Sequence, residues 1–471
     1  MNEQEIEKTN LWELYEKGKN YFRMNNVYTD TDRNHQMYNG DQWYGAKIDG
    51  IEKAQYNFIE TIVNYKVSSI CQSNFQMHFS SENYEHKEFK PQAERTCELL
   101  DRKAAKVWEK DKLDVKIKEA AVEAAVNDEG IIYVNYNEET QSPINEIVDK
   151  TQVQFANEQS SDIQTQPYIV MSQRKPVVDI IRLAKDEGLS KEKIKNIKGD
   201  KDTFEEAGKD AKIEKEDMCT LVTKMWKENG TVRFSQSTKE VDIVVNEDSG
   251  LHLYPLSHFI WRPRKGWSRG EGEVRYLIPN QLELNKTLAR CLLSIKQCAY
   301  PQKVAKLEKI SNPDSLNRTG GIVKTKNGAT VDDVSKIFTY VHPASMSTDV
   351  SIVMNELINI TRDLKNSSEI ATGSIDPEKA SGKAILAVQQ ASQQPLTLQT
   401  MGLYQFIEDL GRIWLDMWTV YTPEGMKLEE EVVDEETGED YIQLVDIPAV
   451  VLENLKGAVK LDVTPKSPYD K

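Results

Sequence analysis

Ser381-Gly382-Lys383-Ala384 is the stretch nearest to a phosphate-binding loop, in which backbone N–H groups cradle phosphates and a lysine reaches them. It departs from that motif twice. Pro377 stands where the first glycine belongs, and Ala384 where a Ser or Thr would hold magnesium. Gly270 and Gly272 make a GxG without the third glycine, the strand before it or the acid after it. The six histidines (His35, His78, His86, His252, His258, His342) form no HExxH and pair with no cysteines at zinc-ligand spacing. No serine is framed as GxSxG. Paired acids such as Asp332-Asp333 read as solvated surface. The five cysteines (Cys71, Cys97, Cys219, Cys291, Cys298) contain no CxxC and read as reduced, structural thiols. Cys291 and Cys298, seven apart in a helical pattern, are expected to share a buried face. The expectation is a chain that is not an enzyme and has no catalytic residues, metal site or cofactor.

A length of 471 residues exceeds one simple core and suits two to four structural units. Hydrophobic residues at 39% and charged residues at 29% describe a folded, soluble chain. No apolar run is long enough for a membrane span, and the N-terminus lacks the pattern of a signal peptide, so synthesis and residence in the cytoplasm are expected. The net charge of -16 argues against an ordinary nucleic-acid-binding domain. That charge is unevenly spread. From Arg262 to Lys326 there are 14 Lys/Arg against 5 Asp/Glu, a net of +9, which leaves -25 for the remainder. Glu429 to Asp440 holds eight acids and no base.

These residues need elements to place them. Apolar spacing predicts helices around Leu11 to Phe22 and Asn57 to Ile70, with a turn at Asn39-Gly40 between them. A longer helical zone covers 91–127, marked by Leu99, Ala104, Val107, Trp108, Leu113, Ile117 and Ala121, and a short strand follows at Ile131 to Asn135. Residues 137–166 are polar and weakly patterned, as in a surface loop. Two short helices fit 176–197, with Ser190 capping the second. Asn229-Gly230, between Cys219–Lys227 and Thr231–Ser237, is a strong hairpin signal, and Val241–Val245 and Leu251–Trp261 suit further strands.

Beyond Trp261 the pattern turns helical: Val274 to Lys296, then a turn-rich stretch at 299–345, then about Ser347 to Ile370 with Val350, Val353, Met354, Leu357, Ile360 and Leu364 inward. A Gly/Ser loop and Asp376-Pro377 introduce a third long helix, in which Pro395 is expected to make a kink. Strands separated by the acidic turn are expected after Met426. Two helices enclosing a basic knob suit a subunit that projects a stalk from a broader body.

That order resembles the portal proteins of tailed bacteriophages, over most of the chain. Tyr38-Asn39-Gly40-Asp41-Gln42-Trp43 is similar to the family's early Y-x-G-x-Q-W stretch, and the Asn57 and Asn64 helix follows it. Tyr254 to Trp261, Gly270 to Val274 and Ile278 to Lys286 resemble the approach to the stem. Asp376 to Ile385 resembles the start of the long helix after the tunnel loop.

The resemblance implies an α+β portal fold: wing at 1–265 (N-terminal helices and a β-rich part), first stem helix at 270–298, clip at 299–346, second stem helix at 347–368, tunnel loop at 369–381, long kinked helix at 382–422, and wing return strands with the start of a crown at 423–471. The chain stops at Lys471 where portals usually continue into a helical crown, so a short or absent crown is expected. It further implies a ring of about twelve copies at one capsid vertex of the virion. Double-stranded DNA would pass through that ring. The expected partners are the terminase large subunit, head–tail connector or adaptor proteins, and major capsid and scaffolding proteins, with no membrane. In this frame Lys365, Lys379 and Lys383, with Gly373, Ser374, Ser381 and Gly382, are expected at the tunnel loop beside the DNA. Lys303, Lys306, Arg318, Lys324 and Lys326 are expected to serve clip contacts. The alternatives are a cytoplasmic scaffold or adaptor without a DNA channel, and a packaging nuclease or ATPase.

Overall fold

Leucine and aromatic side chains at helical spacing build the first elements. In a computed structural model the chain is mixed α+β, and the structure describes residues 10–45, 52–72, 75–82, 90–200, 217–300, 302–318, 322–326, 337–341, 349–364, 394–433, 440–456 and 460–465. Helix α1 (Leu11–Met24) starts where the Asn10 side chain accepts the Trp12 N–H at 3.0 Å, and it buries Leu11, Leu14, Tyr15 and Phe22. A second helix, α2 (Val27–Tyr38), follows at once. Asn26 between them sits at a φ of 58°, a left-handed conformation that Asn tolerates better than most residues. Helix α3 (Phe58–Ile70) buries Ile59, Ile62, Val63, Val67 and Ile70, the face expected from their spacing.

Strand β1 (Phe75–Ser80) comes next, in a segment without a sequence expectation. The helical zone expected over 91–127 is two helices, α4 (Lys90–Lys110) and α5 (Leu113–Val126). They part at Lys112, whose φ is 52°. All seven apolar markers of the zone are buried.

Residues 137–166 are not a plain loop. Strand β2 (Glu129–Asn137) turns into β3 (Ser142–Val148), and β4 (Val153–Phe155) follows. Strand β5 (Tyr168–Pro176) leads to the two expected short helices, α6 (Val177–Asp186) and α7 (Lys191–Lys195), and the Ser190 hydroxyl caps the latter. Strands β6 (Met218–Glu228) and β7 (Thr231–Ser237) form the expected hairpin. Asn229 and Gly230 both have positive φ, 52° and 87°, as a tight two-residue turn requires. With β8 (Asp242–Asp248) they complete a five-stranded antiparallel sheet in the order β4-β5-β6-β7-β8. Strand β9 (Leu256–Ile260) joins β3 and β2 in a second sheet, with Glu129 opposite Ile260 and Ile131 opposite His258.

Helix α8 (Val274–Ala299) is the longest described, about 39 Å at 1.5 Å per residue. A small antiparallel pair, β10 (Gln302–Ala305) and β11 (Phe338–Val341), follows it, and α9 (Asp349–Leu364) packs back along α8. Helix α10 (Thr397–Tyr421) runs through the core, burying Leu403, Phe406, Leu410, Trp414 and Trp418. Pro395 lies in a short 3-10 turn, Gln394–Leu396, just ahead of Thr397. Residues 365–393, which would carry the first part of the expected kinked helix, lie outside the described residues; Pro395 leads into the described helix, where its missing N–H is not needed. The tail contains a hairpin, β12 (Met426–Val433) with β13 (Asp440–Ile447). It also holds a helix absent from the expectation, α11 (Ala449–Lys456), and β14 (Lys460–Pro465). Strand β14 pairs antiparallel with β1, so the end of the chain returns to its first strand. No helix among the described residues is long and apolar enough to cross a membrane.

Candidate functional site

The stretches 38–43, 57–64 and 278–286 are far apart in sequence and meet at the base of α8. The Gln42 side chain donates to Asn57 Oδ1 at 2.9 Å and accepts from Asn285 Nδ2 at 2.5 Å. Gln281 donates to Asn285 Oδ1 at 3.0 Å and to the Tyr56 carbonyl at 2.7 Å, and its own oxygen accepts the Phe58 N–H at 3.2 Å. Trp43 Nε1 donates to the Ala54 carbonyl, and the Tyr38 hydroxyl donates to Asn64. Gln42, Gln281 and Asn285 are all buried. Buried amides that satisfy one another fix a single register, because losing any one strands its partners at about 1–3 kcal/mol each.

The segment between β9 and α8 is locked by charge. Arg269 has no solvent exposure, and all five of its N–H donors are used. It grips Glu158 with two bonds of 3.0 Å, donates to Glu129 at 2.5 Å, and reaches the carbonyls of Lys150 and Val153. The rings of Phe22 and Phe155 lie 4.7 and 4.9 Å from its guanidinium carbon. The second oxygen of Glu129 meets His258 Nε2 at 2.5 Å, while His258 Nδ1 is buried without a hydrogen-bond partner. Four residues further along the chain, buried Glu273 pairs with Lys66 and Arg262, both at 2.9 Å, and accepts from Trp261 Nε1. Gly270 and Gly272 serve this approach and not a phosphate. A Cβ at Gly270 would lie 2.6 Å from the Arg262 carbonyl oxygen, and one at Gly272 2.8 Å from that of Asn127.

Burial pushes the Asp128 carboxyl up to about 6, against the pull of Lys150 at 2.7 Å. Burial acts the same way on Glu129, but Arg269, His258 and Lys150 outweigh it and hold that carboxyl down at about 2. Between 3.8 and about 6 the folded chain therefore carries a proton at Asp128 that the unfolded chain has lost. Asp128 thus contributes less stability as the pH rises through that window. Glu129 has the opposite sign, and its contribution is lost only as the pH falls from 4.5 toward 2. Asp128→Asn is expected to remove a downward component of Tm from pH 4 to 6; thermal melts with an unaltered pH profile would contradict this.

The α8–α9 pair is hydrogen-bonded at its base and exposed farther out. Asn280 on α8 donates to Thr361 on α9 at 2.9 Å, and Met354, Leu357 and Ile358 pack toward the core. Val353 and Ile360, expected inward, are 60% and 51% exposed, and Ile352 lies beside them at 59%. The inward stripe is 354, 357, 358 and 361, one position round from the expected one. Cys291 is half-buried and Cys298 exposed, so the expected shared buried face is corrected: beyond Ala289, α8 leaves the core. Burial raises the thiols of Cys71, Cys97 and Cys219 to about 11, 12 and 11, which keeps them protonated and unreactive at neutral pH.

The five expected clip cations, Lys303 on β10 and Lys306, Arg318, Lys324 and Lys326 in the segment after it, are all exposed. The Lys303 ammonium donates to the Leu316 carbonyl, and none of the five makes an ion pair among the described residues. Tyr300, Val304, Leu307, Ile322 and Tyr340 are exposed among them. Lys365, Gly373, Ser374, Lys379, Ser381, Gly382 and Lys383 lie outside the described residues. The buried ionic group was missed in the sequence, because its members at 129, 158, 258 and 269 share no local pattern. No family model matches the chain, and no curated protein matches its sequence. Among the described residues no three His, Cys, Asp or Glu side chains gather to hold a metal.

Proposed function

We propose that this chain is a portal-type subunit that assembles as a ring at one vertex of a phage capsid, passes double-stranded DNA and docks the terminase large subunit and later head–tail connectors. In this reading it is part of the virion, and its fold is the portal variant of the α+β class. It needs no catalytic step of its own, since the motor supplies the work.

The observation that carries the reading is the α8–α9 pair. Its base is fixed by buried amides and ion pairs, the segment after α8 bears five exposed cations, and one flank leaves Ile352, Val353 and Ile360 uncovered. Three large aliphatic side chains on one flank have no use in a lone stalk. They fit the flank of a neighbouring copy, where burying each contributes about 1.5–3 kcal/mol. The charge suits a conduit: at -16 per chain, about twelve copies carry about -190, a field that keeps DNA phosphates from sticking. Lys365, Lys379 and Lys383 in this reading touch the passing DNA sparsely, and the clip cations meet acidic docking partners.

The triple variant Ile352→Asp, Val353→Asp, Ile360→Asp is expected to stay monomeric by native mass spectrometry while keeping the wild-type circular dichroism spectrum. Unimpaired assembly of that variant would remove the stem flank from the interface.

A further inference from the structure

A cavity of about 380 Å³ opens between α4, the β2–β3 turn and the start of β12. Five cations line it: Arg102, Lys103, Lys106 and Lys110 from α4, and Lys427 from β12. The hydroxyl-bearing Thr140 and Ser142 come from the turn, and among the described residues no Asp, Glu or aromatic side chain takes part in the lining. We propose that this cavity is a binding site for closely spaced phosphate groups, as in a polyphosphate chain or a run of nucleic-acid backbone. The proposal is independent of the reading of the chain as a portal subunit.

The helix accounts for the convergence. Positions 102, 106 and 110 follow at i, i+4 and i+8, so their side chains rise from one face, with 103 beside them. Like charges at that spacing each cost a helix about 0.2–0.5 kcal/mol, and β12 adds a fifth cation at Lys427. Two neighbouring acids are engaged elsewhere. Asp101 binds His78 and the Phe79 N–H, and Asp111 binds Lys116 and Asn145. Arg102, Lys110 and Lys427 make no ion pair among the described residues.

Lys103 is the most telling member. Its ammonium lies 5.3 Å over the Trp418 ring and 3.1 Å from the Met426 sulfur, with no carboxylate partner. Burial lowers its pKa to about 8, a cost that an anion in the cavity would offset.

The lining also selects the kind of anion. Several ammonium groups, one guanidinium and two hydroxyls suit oxygens carrying dense charge on tetrahedral centres. Among the described residues the lining offers no aromatic face on which a nucleobase can stack, so the phosphates are what is recognised. The volume equals that of roughly a dozen water molecules at about 30 Å³ each, room for more than one phosphate group.

The test is calorimetric titration of the purified full chain with sodium tripolyphosphate, with a short DNA duplex in a second arm. The comparison is with Lys106→Gln/Lys110→Gln/Lys427→Gln, whose three positions are exposed, and with Lys103→Met. Saturable binding of one tripolyphosphate per chain is expected, weakened at least about tenfold in the triple variant, since each tenfold is only 1.4 kcal/mol shared over three contacts. Lys303→Gln/Lys306→Gln should bind as the native chain does. Competition by the duplex would name nucleic-acid backbone as the source; tripolyphosphate binding without competition would name a free phosphate compound. No saturable binding, or binding unchanged in both the triple and the Lys103 variants, overturns the proposal. Equal competition by poly-glutamate overturns it in favour of an acidic protein segment. Binding that appears only after Glu429, Glu430 and Glu431 become glutamine overturns it in favour of the chain's own acidic hairpin.

Discussion

Arg269→Met is expected to lower the free energy of unfolding by about 3–5 kcal/mol, the usual cost of stranding a buried charge. The variant leaves Glu129 and Glu158 facing each other without their cation, and it leaves two backbone carbonyls without donors. A loss of this size is a large share of the stability of a typical domain. Arg269→Lys should recover only part of it, because one ammonium cannot reproduce a planar fork that serves two carboxylates and two carbonyls. Urea titrations of the three proteins measure the effect. A loss below about 1 kcal/mol, the range of surface pairs, would mean the cluster is solvated and does not hold the approach to α8.

Reversal of all five clip charges (Lys303, Lys306, Arg318, Lys324 and Lys326 to Glu) is expected to weaken terminase docking by at least about a hundredfold, while the ring still forms. The change is ten charge units per chain and is repeated around the ring. Like-charge juxtaposition at an interface costs several kcal/mol, and about 2.8 kcal/mol already gives that factor. These side chains are exposed, so their replacement perturbs the field and not the fold. Surface binding of terminase to wild-type and reversed rings reads the difference. Native affinity in the reversed ring would remove the clip cations from the docking surface.

Local signals were legible. Asn229-Gly230 fixes a turn through its own backbone preferences, Ser190 caps a helix from the preceding position, and apolar spacing marks the buried faces of α3 to α5. Strand β3 was hidden for a physical reason: its pattern is inverted. Ile144 is 37% exposed, whereas Asn145 is wholly buried, held by Asp111, Lys116 and Trp414. An alternation whose inward residue is Asn cannot be found by looking for apolar residues. The break at Lys112 was equally silent, since neither Gly nor Pro marks it.

At the site, apolar spacing located helices α8 and α9, and the five expected clip cations are all exposed. Charge counting misled in one respect. Arg269 was one of the 14 cations of the basic stretch, yet it is enclosed by acids from a distant strand and a distant turn, and Arg262 answers Glu273. Net charge says nothing of burial. Partners more than a hundred residues away are set by the tertiary fold, which no local pattern encodes. The exposed stripe of α9 was misread for a related reason: both of its faces carry apolar residues, and only packing decides which one meets α8.

In the portal reading the exposed flank of α9 closes a ring. Electron microscopy of the purified protein, alone and with its capsid and scaffolding proteins, tests it most directly. A closed ring of about twelve subunits around an open channel is expected, with the α8–α9 pairs side by side and the β10–β11 hairpins at one rim. A chain that stays monomeric or forms a closed dimer, even with those partners present, would contradict it and favour a scaffold without a channel.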